Sequence, residues 1–259
     1  MHPNFRGPNV RPEACGSEGA VGDVLDAVAY ARGHAKVDEG RIYLVGASGG
    51  GYMALVMAHQ APGLWAGVSS WVPITDLARW HRQSKEATPP RKYYRDLEAV
   101  FGGPPDVLQR REAYRKRSPL FHLGAARGVP LDINAGIHDG HTGSVPINHA
   151  LDAFNVLATA NGRPDLRIDP ELIEQMTREQ KVPAVLQGIP EEEPGRSHAV
   201  LFQRAAGPAR VTLFDGGHEI EVRAALDWLE KQRKKQSAAG GRLSAGHSPI
   251  YISYPFEQV

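Results

Sequence analysis

The stretch Gly46-Ala47-Ser48-Gly49-Gly50 follows directly on the run Ile42-Tyr43-Leu44-Val45. Glycine-x-serine-x-glycine is a common pattern, but behind a β-branched and aromatic run it marks a strand that turns sharply into a helix. In such a turn Ser48 takes backbone torsions that a bulky residue resists, and its hydroxyl stands clear of the sheet edge. Glycines at 46 and 50 remove the β-carbons that would hold strand and helix apart. A helix over 51–59 points its amino end at the serine, where it favours developing negative charge.

The rest of the chain repeats that strand-then-helix rhythm, so a mostly parallel sheet flanked by helices is expected. Val21, Val24, Leu25 and Val28 lie on one helical stripe, which predicts a helix over 19–32. Strands are expected over 41–45, 64–72, 129–137 and 210–214. Ile147, Leu151, Phe154 and Ala158 mark a helix over 145–158, and Val222, Ala225, Leu226 and Leu229 mark a last one. Two segments break the rhythm. Residues 76–123, rich in Arg, Lys and Tyr, read as an insertion of two or three short helices over the strand ends. Residues 161–203, with five prolines, read as surface loop apart from one amphipathic piece at 172–176. From Lys235 a Lys/Gly/Ser/Ala linker leads to Ile250-Tyr251-Ile252-Ser253-Tyr254, which has strand propensity but no evident partner. The division is thus a domain over 1–234 and a tail over 235–259.

With 30 Lys plus Arg against 29 Asp plus Glu, the chain lacks the charge excess that nucleic acid or an anionic membrane attracts. No apolar run approaches the roughly 20 residues that span a bilayer. The single cysteine, Cys15, closes no internal disulfide and lacks the electropositive surroundings of a nucleophilic thiol.

A serine hydroxyl needs a base to take its proton and a third group to orient that base. In α/β-hydrolases these follow in the order serine, acid, histidine, beyond the carboxyl ends of later strands. Asp139, after the strand ending at Ile137, and His218, after the strand ending at Phe214, occupy such places, each with adjacent glycine. Asp139 also suits a plain Asp-Gly turn, and His218 is one of eleven histidines. Asp132 and Asp215 are rival acids, but the first lies within a strand and the second too near His218 in the chain. His198 is a rival base, placed before the last strand. His138, Asp139 and His141 do not match a strong zinc spacing. No metal is expected, and no cofactor.

With their surroundings, Ser48, Asp139 and His218 resemble the catalytic domain of the prolyl oligopeptidase family of α/β-hydrolases. Asn4-Phe5-Arg6-Gly7 resembles its Asn-x-Arg-Gly segment, 23–30 its following Asp-to-Tyr helix, and 139–146 its acid loop with a Val-Pro at the next helix start. The likeness covers about residues 2–230, with gaps in the two interruptions. It implies an α/β-hydrolase fold, with Ser48 as nucleophile, Asp139 as orienting acid, His218 as general base and then acid, and the Gly49 N–H as an oxyanion donor.

The same likeness implies strands ahead of Met1 that have no counterpart here, so an N-terminally truncated form of the fold is expected. The nucleophile strand would then lack a neighbour on one side, and the second oxyanion donor would be missing, at about 10²–10³ in kcat. Self-association is expected from such an edge. A serine hydrolase cleaving a peptide or small ester substrate is the leading expectation. A catalytically impaired remnant with a binding role is the other. No signal peptide is seen, so a cytoplasmic location is the default, with a leader upstream of a truncated start left open.

Overall fold

Along the nucleophile strand, successive side chains face opposite ways and both sides are apolar. Ile42 and Leu44 join one buried cluster with Val24, Val28, Met53 and Phe154. Tyr43, Val45 and Ala47 join a second with Ala225, Trp228 and Leu229. A strand buried on both faces reads as a continuous apolar run, and helices must then cover both faces.

The computed structural model describes residues 1–187, 193–234 and 247–253. Helix α1 (Glu18–His34) leads into β1 (Val37–Ala47), α2 (Gly49–Gln60) and β2 (Gly67–Trp71). An insertion of α3 (Leu77–Glu86), α4 (Tyr93–Phe101) and α5 (Leu108–Arg117), with two 3₁₀ turns behind it, precedes β3 (Leu131–Gly136). Then come α6 (Asn148–Ala160), α7 (Pro170–Glu179), β4 (Val200–Ala206), β5 (Ala209–Phe214), α8 (Val222–Glu230) and β6 (Ser248–Ser253). The six strands form one sheet in the order β4-β5-β3-β2-β1-β6. All pairs are parallel except β4 with β5. This is a mostly parallel sheet flanked by helices, the α/β-hydrolase fold.

Three expectations need correcting. The nucleophile strand does not lack a neighbour: β6 pairs with β1 in parallel, Ile42 opposite Ile250 and Leu44 opposite Ile252. Ile252 is fully buried and Ile250 nearly so. Its alternating apolar residues suit a pleated surface, but nothing local names the strand across a linker of some dozen residues as its partner. The tail read from 235 onward thus places 247–253 in the same sheet as the domain, while 235–246 and Tyr254 lie outside the described residues. The stretch 161–203 is also more ordered than a surface loop. It carries α7, capped by Asp169, whose carboxylate accepts from the Glu171 N–H at 2.8 Å, and part of β4, which hairpins onto β5. The turn is made by Gly207, at φ 63°, where a β-carbon would be strained. Edge position lets β4 be only half-apolar, which hides it among prolines. Residues 188–192 lie outside the described ones.

The insertion at 76–123 is helical, as expected. Asp76 caps α3 through the N–H groups of Ala78 and Arg79, and α4 stops at left-handed Gly102. Trp80 of α3 stacks on Tyr93 of α4 with ring centroids 4.8 Å apart. These helices lie over the carboxyl end of the sheet, where β1, β3 and β5 deliver their loops.

Candidate active site

Ser48 sits between β1 and α2 at φ 56°, ψ −119°, a conformation costing of order 1–3 kcal/mol for a residue with a β-carbon. The surroundings enforce it. The Ser48 N–H donates to Trp71 O at 2.9 Å and the Tyr52 N–H to Ser48 O at 2.8 Å. A β-carbon at Gly46 would run into the backbone of Gly50, and one at Gly51 would stand 2.5 Å from Trp71 O. Glycine at 51, which the serine pattern does not specify, lets α2 pack against β2. Ser48 makes no capping bond to its own helix, so its hydroxyl is left for other partners. Gly49 is the first residue of α2, where amide N–H groups have no acceptor within the helix.

His218 arrives on the loop after β5. Its Nε2 lies 2.8 Å from Ser48 Oγ and its Nδ1 2.7 Å from Asp139 Oδ2. Asp139 is buried on the loop after β3. Its other oxygen accepts from the N–H groups of Gly140, at 2.8 Å, and Val145, at 3.0 Å. An ionised carboxylate is purely an acceptor, so Nδ1 carries the ring proton and Nε2 of the neutral imidazole faces the hydroxyl as acceptor. The arrangement can take a proton from Ser48 while holding the imidazolium that forms beside a carboxylate.

Several residues that the sequence does not single out support this loop pair. The indole N–H of Trp80 donates to Ser144 O at 2.9 Å, and the Arg91 guanidinium to Gly140 O at 2.8 Å. Ser144 Oγ is 3.4 Å from His218 Nε2. A β-carbon at Gly136 would strike the carbonyl oxygens of Gly216 and Gly217, so that glycine is what lets the histidine loop sit on the acid strand. A run of glycines around Asp139 is the sequence signal for this close approach, but spacing alone does not say which backbone it meets.

The rival residues are engaged elsewhere. Asp132 is buried on the opposite face of β3 from the large cluster, between Ser69 Oγ at 3.0 Å and Arg210 Nε at 2.7 Å. Asp215 meets His138 Nε2 at 3.1 Å. His198 bonds through Nδ1 to Glu221, which also accepts from the N–H groups of Ser197 and His198 and lies 3.1 Å from Arg196. His141 Nε2 reaches Thr177 O at 2.7 Å. Among the described residues no group of three or more His, Cys, Asp or Glu is placed to hold a metal ion, and no helix is long and apolar enough to cross a membrane. Burial pushes the Cys15 thiol up to about 11, against a smaller lowering by Arg117, so its reactive thiolate is scarce at neutral pH.

Beside Gly49 lies a small cavity of about 20 Å³, walled by Val10, Tyr52, Ile74, Leu77, Trp80 and Tyr93. It combines the N-terminal segment, α2, the loop after β2 and the helical insertion.

An α/β-hydrolase sheet carrying its serine on a strand-to-helix turn is the class that fold and site define. The model of the prolyl oligopeptidase family matches residues 17–172, and the chain belongs to that family. Among solved structures it is similar to an acylaminoacyl peptidase of Pyrococcus horikoshii, at 23% identity and TM-score 0.48 over 61% of this chain and 23% of that one. It is similar to a puromycin hydrolase at 16% identity and TM-score 0.49, over 88% of this chain and 25% of that one. A Mycobacterium tuberculosis puromycin-hydrolyzing peptidase matches at 22% identity and TM-score 0.45, over 60% and 21% of the two chains. The chain spans a quarter or less of the length of these structures. No curated protein matches it.

Proposed function

We propose that this chain carries the catalytic site of a serine hydrolase that cleaves a peptide bond through an acyl-enzyme. The observation behind this reading is the continuous relay from Ser48 Oγ to His218 Nε2 and from His218 Nδ1 to Asp139, at 2.8 and 2.7 Å. Family membership supports an amide rather than an ester as the substrate.

In the proposed reaction the Ser48 oxygen attacks the substrate carbonyl carbon as its proton passes to His218 Nε2. Negative charge gathers on the carbonyl oxygen and is met by the Gly49 N–H at the amino end of α2. The imidazolium, held by Asp139, gives its proton to the leaving amine, the C–N bond breaks, and an ester joins the acyl group to Ser48. Water then enters, loses a proton to His218 and attacks that ester. Collapse of the second adduct releases the acid and returns the proton to Ser48.

A fluorophosphonate probe tests the reading directly. Covalent labelling at Ser48, abolished in Ser48→Ala and His218→Ala, is the expected result. A folded protein left unlabelled would remove the hydrolase reading and favour the alternative, an inactive hydrolase fold with a binding role.

A further inference from the structure

Behind the candidate site, on the side of the sheet where Trp71, Phe214 and Trp228 cluster, lies a buried polar layer that the proposed reaction does not use. At its centre is Arg196, whose side chain is 3% exposed. Its guanidinium donates in three directions. Nε lies 2.6 Å from Glu193 Oε2, Nη1 3.1 Å from Glu221 Oε2 and Nη2 2.7 Å from Asn134 Oδ1. The same group lies over the Trp71 ring, 5.3 Å from its centroid. A guanidinium is planar, rigid and always charged, so it fixes several partners at once in a way that an ammonium cannot.

Two of those partners border the site. Trp71 ends β2, and its carbonyl oxygen accepts from the Ser48 N–H at 2.9 Å. Glu221 closes the loop that carries His218. It stands at the N-cap of α8 but makes no capping bond, and its carboxylate instead meets Arg196 and the N–H groups of Ser197 and His198, both at 2.7 Å. A buried ion pair adds little net stability over apolar groups of the same shape, because desolvation offsets the attraction. It does impose one geometry on the elements it joins. Arg210 is the contrast within the layer: its partners are Asp132, Glu193 and the Trp228 ring, and none of these holds Ser48 or the His218 loop.

We propose that Arg196 is a positioning residue: by binding Glu221 and stacking on Trp71, it holds the His218 loop in register with the Ser48 turn. This inference rests on the hydrolase reading for its effect on rate, but the placement of His218 can be followed without turnover. Arg196 touches no reacting atom and takes no part in proton transfer.

The test compares Arg196→Lys with Arg210→Lys in the full chain, at a temperature where both are folded by their unfolding midpoints. Arg196→Lys should slow fluorophosphonate labelling of Ser48, and lower kcat for an activated aryl ester, by about 10²-fold, the scale of a misplacement of about 1 Å, with KM changed only a few-fold. It should also weaken the low-field proton resonance of the His218 Nδ1–H, assigned by its loss in His218→Ala. Arg210→Lys should leave rate and resonance near wild type even where its midpoint falls as far. Should Arg196→Lys not fold, Glu221→Gln breaks the same contact and should likewise slow labelling and weaken the resonance. An unchanged rate or resonance in folded Arg196→Lys, or losses that track the midpoint in both arginine variants, would make Arg196 a stabilising residue only and end the positioning proposal alone. A resonance weakened in Arg196→Lys and kept in Arg210→Lys, in a chain whose wild type does not label, would uphold the positioning and end the hydrolase reading alone.

Discussion

Gly143 presses against His218 so closely that a β-carbon at 143 would stand 2.5 Å from the His218 Cβ and would also overlap the Asp139 carboxylate. The acid and the histidine come from loops 79 residues apart in the chain, and this glycine is where the loops touch. Gly143→Ala should therefore keep the fold but displace His218 from Ser48. A shift of about 1 Å can cost about 10² in rate. Steady-state kinetics with an activated aryl ester, beside an unchanged far-UV spectrum, checks this.

Members of a proton relay act as a unit, so single losses cost nearly as much as combined ones. Ser48→Ala and His218→Ala should each remove almost all turnover. Asp139→Asn should lower kcat by about 10⁴ while leaving the loops in place, because an amide can hold the imidazole in the wrong tautomer. The double change Ser48→Ala/His218→Ala should be little worse than Ser48→Ala. Additive losses would show that the residues work independently.

His198 and Asp215 give the contrast. Their partners are Glu221 and His138, so His198→Ala and Asp215→Asn should leave kcat within a few-fold of wild type. A loss with His198→Ala as large as with His218→Ala would reassign the base.

The β6 strand should matter for stability. Ile252 is fully buried beside Leu44, and truncating such a side chain typically costs about 2–5 kcal/mol. Ile252→Ala should lower the urea midpoint accordingly, and sizing chromatography should show more self-association, since loosening β6 bares the β1 edge. An unchanged midpoint would mean that β6 contributes no stability to the sheet.

Stability should also fall in acid through His149. Burial, with a smaller contribution from Arg79, pushes this imidazole down to about 3. Its Nδ1 accepts from the Thr75 N–H at 3.1 Å and its Nε2–H donates to Gln83 Oε1 at 2.9 Å, so the folded protein holds it neutral. The unfolded chain binds the proton from about pH 6.5 downward and the folded chain does not. Stability from this group is therefore complete above about pH 6.5 and drains away as pH falls toward 3, at up to about 1.4 kcal/mol per pH unit. His59, lowered to about 4 by burial and by His122, adds in the same direction. His149→Gln should flatten the pH dependence of the denaturation midpoint between pH 6.5 and 4.

Local pattern was enough to read the alternation of strand and helix, the turn at Ser48 and the helical nature of 76–123. Each depends on side-chain periodicity, on glycine or on proline, and these act within a few residues. The same pattern put Ser48, Asp139 and His218 at strand ends, because a parallel sheet delivers all such ends to one side. It could not say that Gly143 is the point of contact between two loops, that Gly51 faces Trp71, or that Trp80 and Arg91 brace the acid loop. Pairing of β6 with β1 was equally out of reach: Ile250 and Ile252 declare a strand, but hydrogen-bonding edges are alike in every strand. Which edge a strand meets is settled by the free energy of the whole sheet and its two apolar clusters. Sequence alone thus determined most of the elements, the half-apolar edge strand β4 excepted, and the candidate chemistry. Tertiary packing decided the neighbours, because contacts between distant segments form only where both surfaces exist.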